Sequence, residues 1–266
     1  MYRTICARAL CAVTFLVSLG FSVPAWAQVE MWISDSFQGL GTVNVHTGEV
    51  TTVFAPSETL TDIAFAPDGT FYGISETDLY RINPANGLLT NIGSHGISYG
   101  NALVFSSDGV LYGAGSTTSN LYTIDVSTGQ SNSLGDMGYF SAGDLSFQSG
   151  QLYLSSTSNE LIEVDRYTAA STLVGSFGVN NVFGMATGPD GNVYAGALTR
   201  LYSVDTSSGQ LTYLSNYAGQ GLGTIYGSAF MFEAVPEPSS VTILMAGAGL
   251  IGLRRRRRSV FGSRRP

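Results

Sequence analysis

The feature that most constrains this chain is a repeat. Trp32, Tyr72, Tyr112, Tyr153 and Tyr194 are spaced 40, 40, 41 and 41 residues apart. Each is followed by a second apolar marker, at Leu40, Leu79, Leu121, Leu161 and Leu201. A polar turn residue comes next (Asn44, Asn83, Asp125, Asp165, Asp205), then Gly48, Gly87, Gly129, Ala169 or Gly209. Self-similarity near 40 residues, with short strands and turn signals, predicts an all-β fold: a β-propeller with four strands per blade.

In the second copy the strands are expected at 62–66, 70–74, 78–83 and 88–93. Pro67-Asp68-Gly69 turns the first into the second, and Asn83 to Gly87 turns the third into the fourth. Glycine suits such turns because they require positive φ. The first copy lacks an innermost strand. Residues 222–232 (LGTIYGSAFMF) resemble that missing strand. The two ends of the body are therefore expected to share one blade, leaving no open sheet edge. Counting that closure gives five blades.

Composition removes several chemistries. Both cysteines, Cys6 and Cys11, lie in the first dozen residues, so the body has no thiol for disulfides, metal clusters or nucleophilic catalysis. There is no lysine, and the chain has only two histidines, His46 and His95. Schiff-base chemistry, a P-loop and a three-histidine metal site are excluded. Between residues 28 and 235 three arginines face eighteen acids, a net of −15. Such a body repels nucleic acid, so no nucleic-acid partner is expected.

The ends carry the positive charge. Residues 1–27 have the pattern of a secretory signal peptide: Arg3 and Arg8, an apolar run over 9–21, and Ala25-Trp26-Ala27 as a small-x-small cleavage site. The propeller is assigned to residues 28–232 and a tail to 233–266. The tail begins with Val235-Pro236-Glu237-Pro238-Ser239. An apolar, Gly- and Ala-rich stretch over 240–253 follows, then Arg254, Arg255, Arg256, Arg257 and Arg258. A short transmembrane helix is expected there, its end held in the cytoplasm by the arginines.

That ordered triple resembles the PEP-CTERM sorting tail. The resemblance implies cleavage by an exosortase near Pro236-Glu237-Pro238, after removal of the leader by signal peptidase. It also implies an inner-membrane intermediate, then the cell surface or extracellular matrix of a Gram-negative host that makes extracellular polysaccharide. The loops of the body, chiefly the Pro-Asp-Gly turns, are similar to those of NHL-type extracellular propellers. This second resemblance supports the architecture and carries no catalytic residue across.

Propeller topology sorts the polar residues between two rims. The first-to-second and third-to-fourth turns share one rim, where Asp68, Asp108, Asp125, Asp165, Asp190 and Asp205 are expected to cap turns. Second-to-third loops and blade links form the other, irregular rim. Asp62 and Asp144 precede inner strands there and should approach the central channel, with Asn101 at a similar place in the third blade. Two carboxylates and an amide near the axis would offer hard oxygens to Ca²⁺, the one cofactor considered, although no D-x-D-x-D-G loop is present. The links carry aromatic rings, Tyr99, Tyr139 and Tyr217, beside amides and acids. Such rings either stack on the apolar face of a sugar or plug the gaps between blades.

No G-x-S-x-G, H-E-x-x-H or G-x-G-x-x-G element occurs in a suitable context. His95, in a Gly-rich link, is expected as a polar surface residue. No catalytic residue is assigned. Three functional readings stand in order: a non-enzymatic binding module for polysaccharide or a surface protein, a purely structural surface protein, and a carbohydrate-active hydrolase or lyase using rim carboxylates.

Overall fold

A computed structural model describes residues 29–231. The expected signal and transmembrane helices, the cleavage site at Ala25 and Ala27, and the tail residues lie outside them. The described residues form twenty strands in five four-stranded antiparallel sheets. The first sheet holds β1 (Glu30–Asp35), β2 (Leu40–Asn44) and β3 (Val50–Phe54). The second holds β4 (Asp62–Phe65), β5 (Phe71–Ile74), β6 (Asp78–Ile82) and β7 (Leu89–Ser94). The third holds β8 (Gly100–Phe105), β9 (Leu111–Gly115), β10 (Thr118–Ile124) and β11 (Ser131–Asp136). The fourth holds β12 (Ser141–Gln148), β13 (Gln151–Ser156), β14 (Glu160–Val164) and β15 (Ser171–Ser176). The fifth holds β16 (Val182–Thr187), β17 (Val193–Ala197), β18 (Arg200–Val204) and β19 (Leu211–Asn216). The last strand, β20 (Ile225–Ala229), returns to the first sheet as its innermost member.

That return closes the ring as expected. Trp32 pairs with Ala229, Ile33 with Ser228 and Ser34 with Gly227. Asp35 locks the closure from the side. Its Oδ1 accepts the N–H groups of Phe37 and Gly39 at 2.7 Å each, and its Oδ2 accepts that of Gly223 at 2.5 Å. Asp35 is therefore a buried latch.

The repeated markers build the interior. The five aromatic markers lie on the second strands of their repeats, all buried between blades. The five leucine markers lie on the third strands and are fully buried. Polar turn residues behave as their chemistry dictates: Asp125, Asp165 and Asp205 accept backbone N–H groups two residues ahead at 2.8–2.9 Å. Ala169 takes φ +61°, where the other copies place glycine between +71° and +82°. Its methyl is buried in the fourth-blade core.

Candidate functional site

Matching the blades by strand pairing aligns the inner strands in layers around the axis. The partners of Tyr72, Tyr112, Tyr153, Tyr194 and Trp32 are Ala64, Val104, Ser146, Ala186 and Ala229. Two steps earlier comes the narrowest layer: Asp62, Ala102, Asp144, Gly184 and Gly227. Three of its five side chains are a methyl or a hydrogen, so two carboxylates fit between them. Space is tight: a Cβ on Gly227 would lie 2.2 Å from Asp62 Oδ1 and 2.4 Å from Asp62 Cα.

Asp62 and Asp144 approach the channel as expected, but they close it. Both are fully buried. Innermost strands leave backbone N–H groups unpaired toward the axis, and a buried donor without an acceptor is costly. The two carboxyls accept four of these groups. Asp62 takes Ile63 N–H at 2.7 Å and, from the next blade, Leu103 N–H at 2.5 Å. Asp144 repeats the pattern with Leu145 at 2.8 Å and Met185 at 2.6 Å. Ser228 Oγ also donates to Asp144, at 3.1 Å. The two carboxyls hydrogen-bond each other. Burial raises both pKa values well above the ordinary 3.8, and the charge of Asp144 raises Asp62 further. Asp144 accepts three donors and Asp62 two, so the upward push is less opposed at Asp62.

This arrangement does not fit Ca²⁺. The carboxyl oxygens face N–H and O–H donors, whose positive ends repel a cation, and burial favours a protonated pair. Among the described residues no group of three or more acidic, histidine or cysteine side chains converges on one point. Asn101 also needs a correction: Ala102, not Asn101, is the third-blade counterpart of Asp62.

One layer further toward the irregular rim lie Thr61, Asn101, Gly143, Phe183 and Tyr226. Four of them fall at register shifts, Gly143 within the one between Ser141 and Leu145. The register shifts between Gly100 and Ala102, between Val182 and Gly184, and between Ile225 and Gly227, leaving Asn101, Phe183 and Tyr226 without strand partners. A bulge re-aims the side chain it carries. Gly143 admits this geometry because a Cβ there would lie 2.3 Å from Phe183 O. Asn101 Nδ2 donates to Ser141 O at 3.2 Å, while its buried Oδ1 has no hydrogen-bond partner. Thr61, Asn101, Phe183 and Tyr226 line a cavity of about 570 Å³ that also receives Glu58, Thr59, Ser75, Glu76 and Thr77. Its wall therefore combines aromatic faces, hydroxyls, one amide and two exposed carboxylates.

The three link tyrosines separate. Tyr99 is exposed at φ +48° on the irregular rim. Tyr139 is half-buried against the fourth-blade core. Tyr217 is fully buried and donates from its hydroxyl to Leu198 O at 3.1 Å or Gly223 O at 3.0 Å. Tyr217 thus plugs the gap between the last blade and the closing strand instead of standing on the rim. His95 is likewise buried, not superficial. Its Nδ1 accepts Ile97 N–H at 3.0 Å and its Nε2 lies 3.2 Å from Ser75 O, which fixes the proton on Nε2. Sequence reasoning passed over Phe183 and Tyr226 as site residues, because the bulges that aim them appear only in the pairing register.

The opposite mouth, at the regular-turn rim, is an apolar bowl of about 650 Å³. Phe65, Val104, Phe105, Phe147, Phe230 and Met231 line it, with Arg166 at its side. Arg166 bridges Asp108 at 2.8 Å and lies over the rings of Phe147 and Tyr167. The buried dyad separates the bowl from the polar mouth.

The body is a five-bladed β-propeller, closed by its own two ends. Residues 30–135 match a family model described as a repeat of unknown function (DUF6923). Residues 234–258 match the PEP-CTERM protein-sorting motif. The chain thus carries a sorting signal that implies exosortase processing, export and cell-surface sorting in bacteria. No curated protein matches it. Among solved structures, a chain from a crystal structure of a nidogen/laminin complex is similar in fold. It has a TM-score of 0.52 and 12% identity over 76% of this chain and 97% of that one. A protein of unknown function from Bacteroides caccae aligns at TM-score 0.47 and 11% identity, over 77% of this chain and 99% of that one.

Proposed function

We propose that this exported propeller is a non-enzymatic binding module that takes a neutral sugar unit of an extracellular polysaccharide at its polar mouth. The observation that carries the reading is the bulged layer: Asn101, Phe183 and Tyr226 set side by side around a cavity of sugar size. An aromatic face stacks on the C–H side of a pyranose, and the amide and hydroxyls of Asn101, Thr59 and Thr61 exchange hydrogen bonds with its hydroxyls. Asn101 Oδ1 supplies a buried acceptor for one of them. Glu58 and Glu76 accept hydroxyl hydrogens and repel anionic sugars. Tyr99 stands outside this cavity and extends the rim.

The setting agrees with this use. Val29 and Met231 both leave the body at the regular-turn rim: Val29 O accepts Val45 N–H, and Met231 lines the bowl. A leader cleaved after Ala27 and a tail anchored through residues 240–253 in a Gram-negative inner membrane would hold the propeller by that rim. The polar mouth would then point away from the membrane, toward matrix. Asp62 and Asp144, buried against backbone donors, are poorly placed to serve a hydrolase, which would have to draw on exposed rim acids such as Glu58 and Glu76.

The test is calorimetric titration of the exported chain with neutral oligosaccharides released from the host's own polysaccharide. Saturable binding lost on Asn101→Ala and on Tyr226→Ala supports the reading. Binding that survives both substitutions refutes it.

A further inference from the structure

We propose that the apolar bowl is occupied by the chain's own segment 232–235, so that the propeller itself holds the sorting motif at its mouth. The bowl is open and apolar, walled by Phe65, Val104, Phe105, Phe147 and Phe230. An open apolar cavity suits the apolar side chains of a docked segment. The chain delivers such a segment. Its last described residue, Met231, is already part of the bowl wall and half-exposed there. The next four residues are Phe232, Glu233, Ala234 and Val235. Two of the four carry large apolar side chains. The acid between them enters a cavity whose one cationic lining residue is Arg166.

The tether makes this occupant favourable over any free one. With no spacer between wall and segment, docking is intramolecular, and a short link sets an effective concentration in the millimolar range or above. Four residues reach at most about 14 Å even when extended. Pro236-Glu237-Pro238 therefore cannot travel far from the rim, and docking of Phe232 and Val235 fixes where the motif is presented. This inference concerns the regular-turn rim and is independent of the sugar reading.

The body has no cysteine, so one introduced thiol reports on the bowl cleanly. Val104→Cys is placed on the bowl wall in the chain from Gln28 to Pro266, held in detergent, and its maleimide labelling rate is measured. The same thiol is then measured with Phe232→Asp and Val235→Asp together. Docking predicts labelling at least ten-fold faster with the substituted segment, while Thr77→Cys at the polar mouth labels equally in both. Equal rates at position 104, whether both fast or both slow, overturn the proposal. If Val104→Cys fails to fold, Thr187→Cys on the same wall carries the same comparison.

Discussion

Asp62 and Asp144, from the second and fourth blades, meet on the propeller axis and together cap four inward-facing backbone N–H groups. A pair this buried titrates as a unit. In the unfolded chain both groups ionise near 3.8, whereas the folded pair keeps a proton well above that value. The folded state then binds more protons, so this contribution to stability is full at low pH and is lost as pH rises through the folded pKa. Asp62→Asn retains a donor toward Asp144, gives up one of the two N–H acceptors at a pH-independent cost, and leaves Asp144 as the one member of the pair that titrates. Thermal unfolding of both chains as a function of pH should show the parent losing stability relative to the variant as pH rises above about 4. The slope is about 1.4 kcal/mol per pH unit until the folded pKa is passed.

Removing the acceptor altogether is a different perturbation. Asp144→Ala strands Leu145 N–H, Met185 N–H and Ser228 Oγ in a buried layer. At about 1–3 kcal/mol for each orphaned group, with partial relaxation, the loss should exceed about 3 kcal/mol. Urea unfolding of the variant checks it, and a loss under about 1 kcal/mol would mean that water replaces the carboxylate.

Gly227 tests the same layer from the other side. Its added Cβ meets Asp62 backbone as well as side chain, so Gly227→Ala must shift a strand and should cost about 1–3 kcal/mol. Gly138, at φ +73°, has no atom within 4 Å of its added Cβ. Gly138→Ala therefore costs only its backbone strain of about 1 kcal/mol. Unfolding midpoints of the two variants should fall in that order.

His95 carries the opposite pH sign. Burial lowers its pKa below the ordinary 6.5, and protonating Nδ1 would also remove the acceptor of Ile97 N–H. The unfolded chain takes up the proton first, so stability present above 6.5 is lost as pH falls toward the folded value. Relative to His95→Gln, the parent's melting temperature should drop over that interval. A pH-independent difference between the two would contradict the buried neutral ring.

The architecture was legible because the repeat is written twice, once in aromatic spacing and once in turn chemistry. Leu79, Leu121 and their equivalents are buried because that spacing places them on the third strands. The closing strand was legible because residues 225–230 repeat the inner-strand pattern that the first copy lacks. The site was legible only in part. Asp62 and Asp144 were placed at the axis, yet their role there depends on N–H groups from neighbouring blades, which no single repeat displays. Asn101 was matched one residue out of register, because a bulge adds a residue without changing the sequence pattern. Tyr217 carries the same amphipathic signal as Tyr99. Two carbonyls, of Leu198 and Gly223, come from distant segments and decide that it turns inward.

The polar mouth is the centre of the functional account, and one titration tests it most directly. Neutral oligosaccharide from the host matrix is titrated into the parent chain, Tyr226→Ala, Asn101→Ala and Tyr217→Phe, with folding of each checked by melting. Saturable binding to the parent is expected, with at least ten-fold weaker binding for Tyr226→Ala and Asn101→Ala and unchanged affinity for the less stable Tyr217→Phe. Parent-like affinity in both mouth variants, or no saturable binding to the parent, would contradict it.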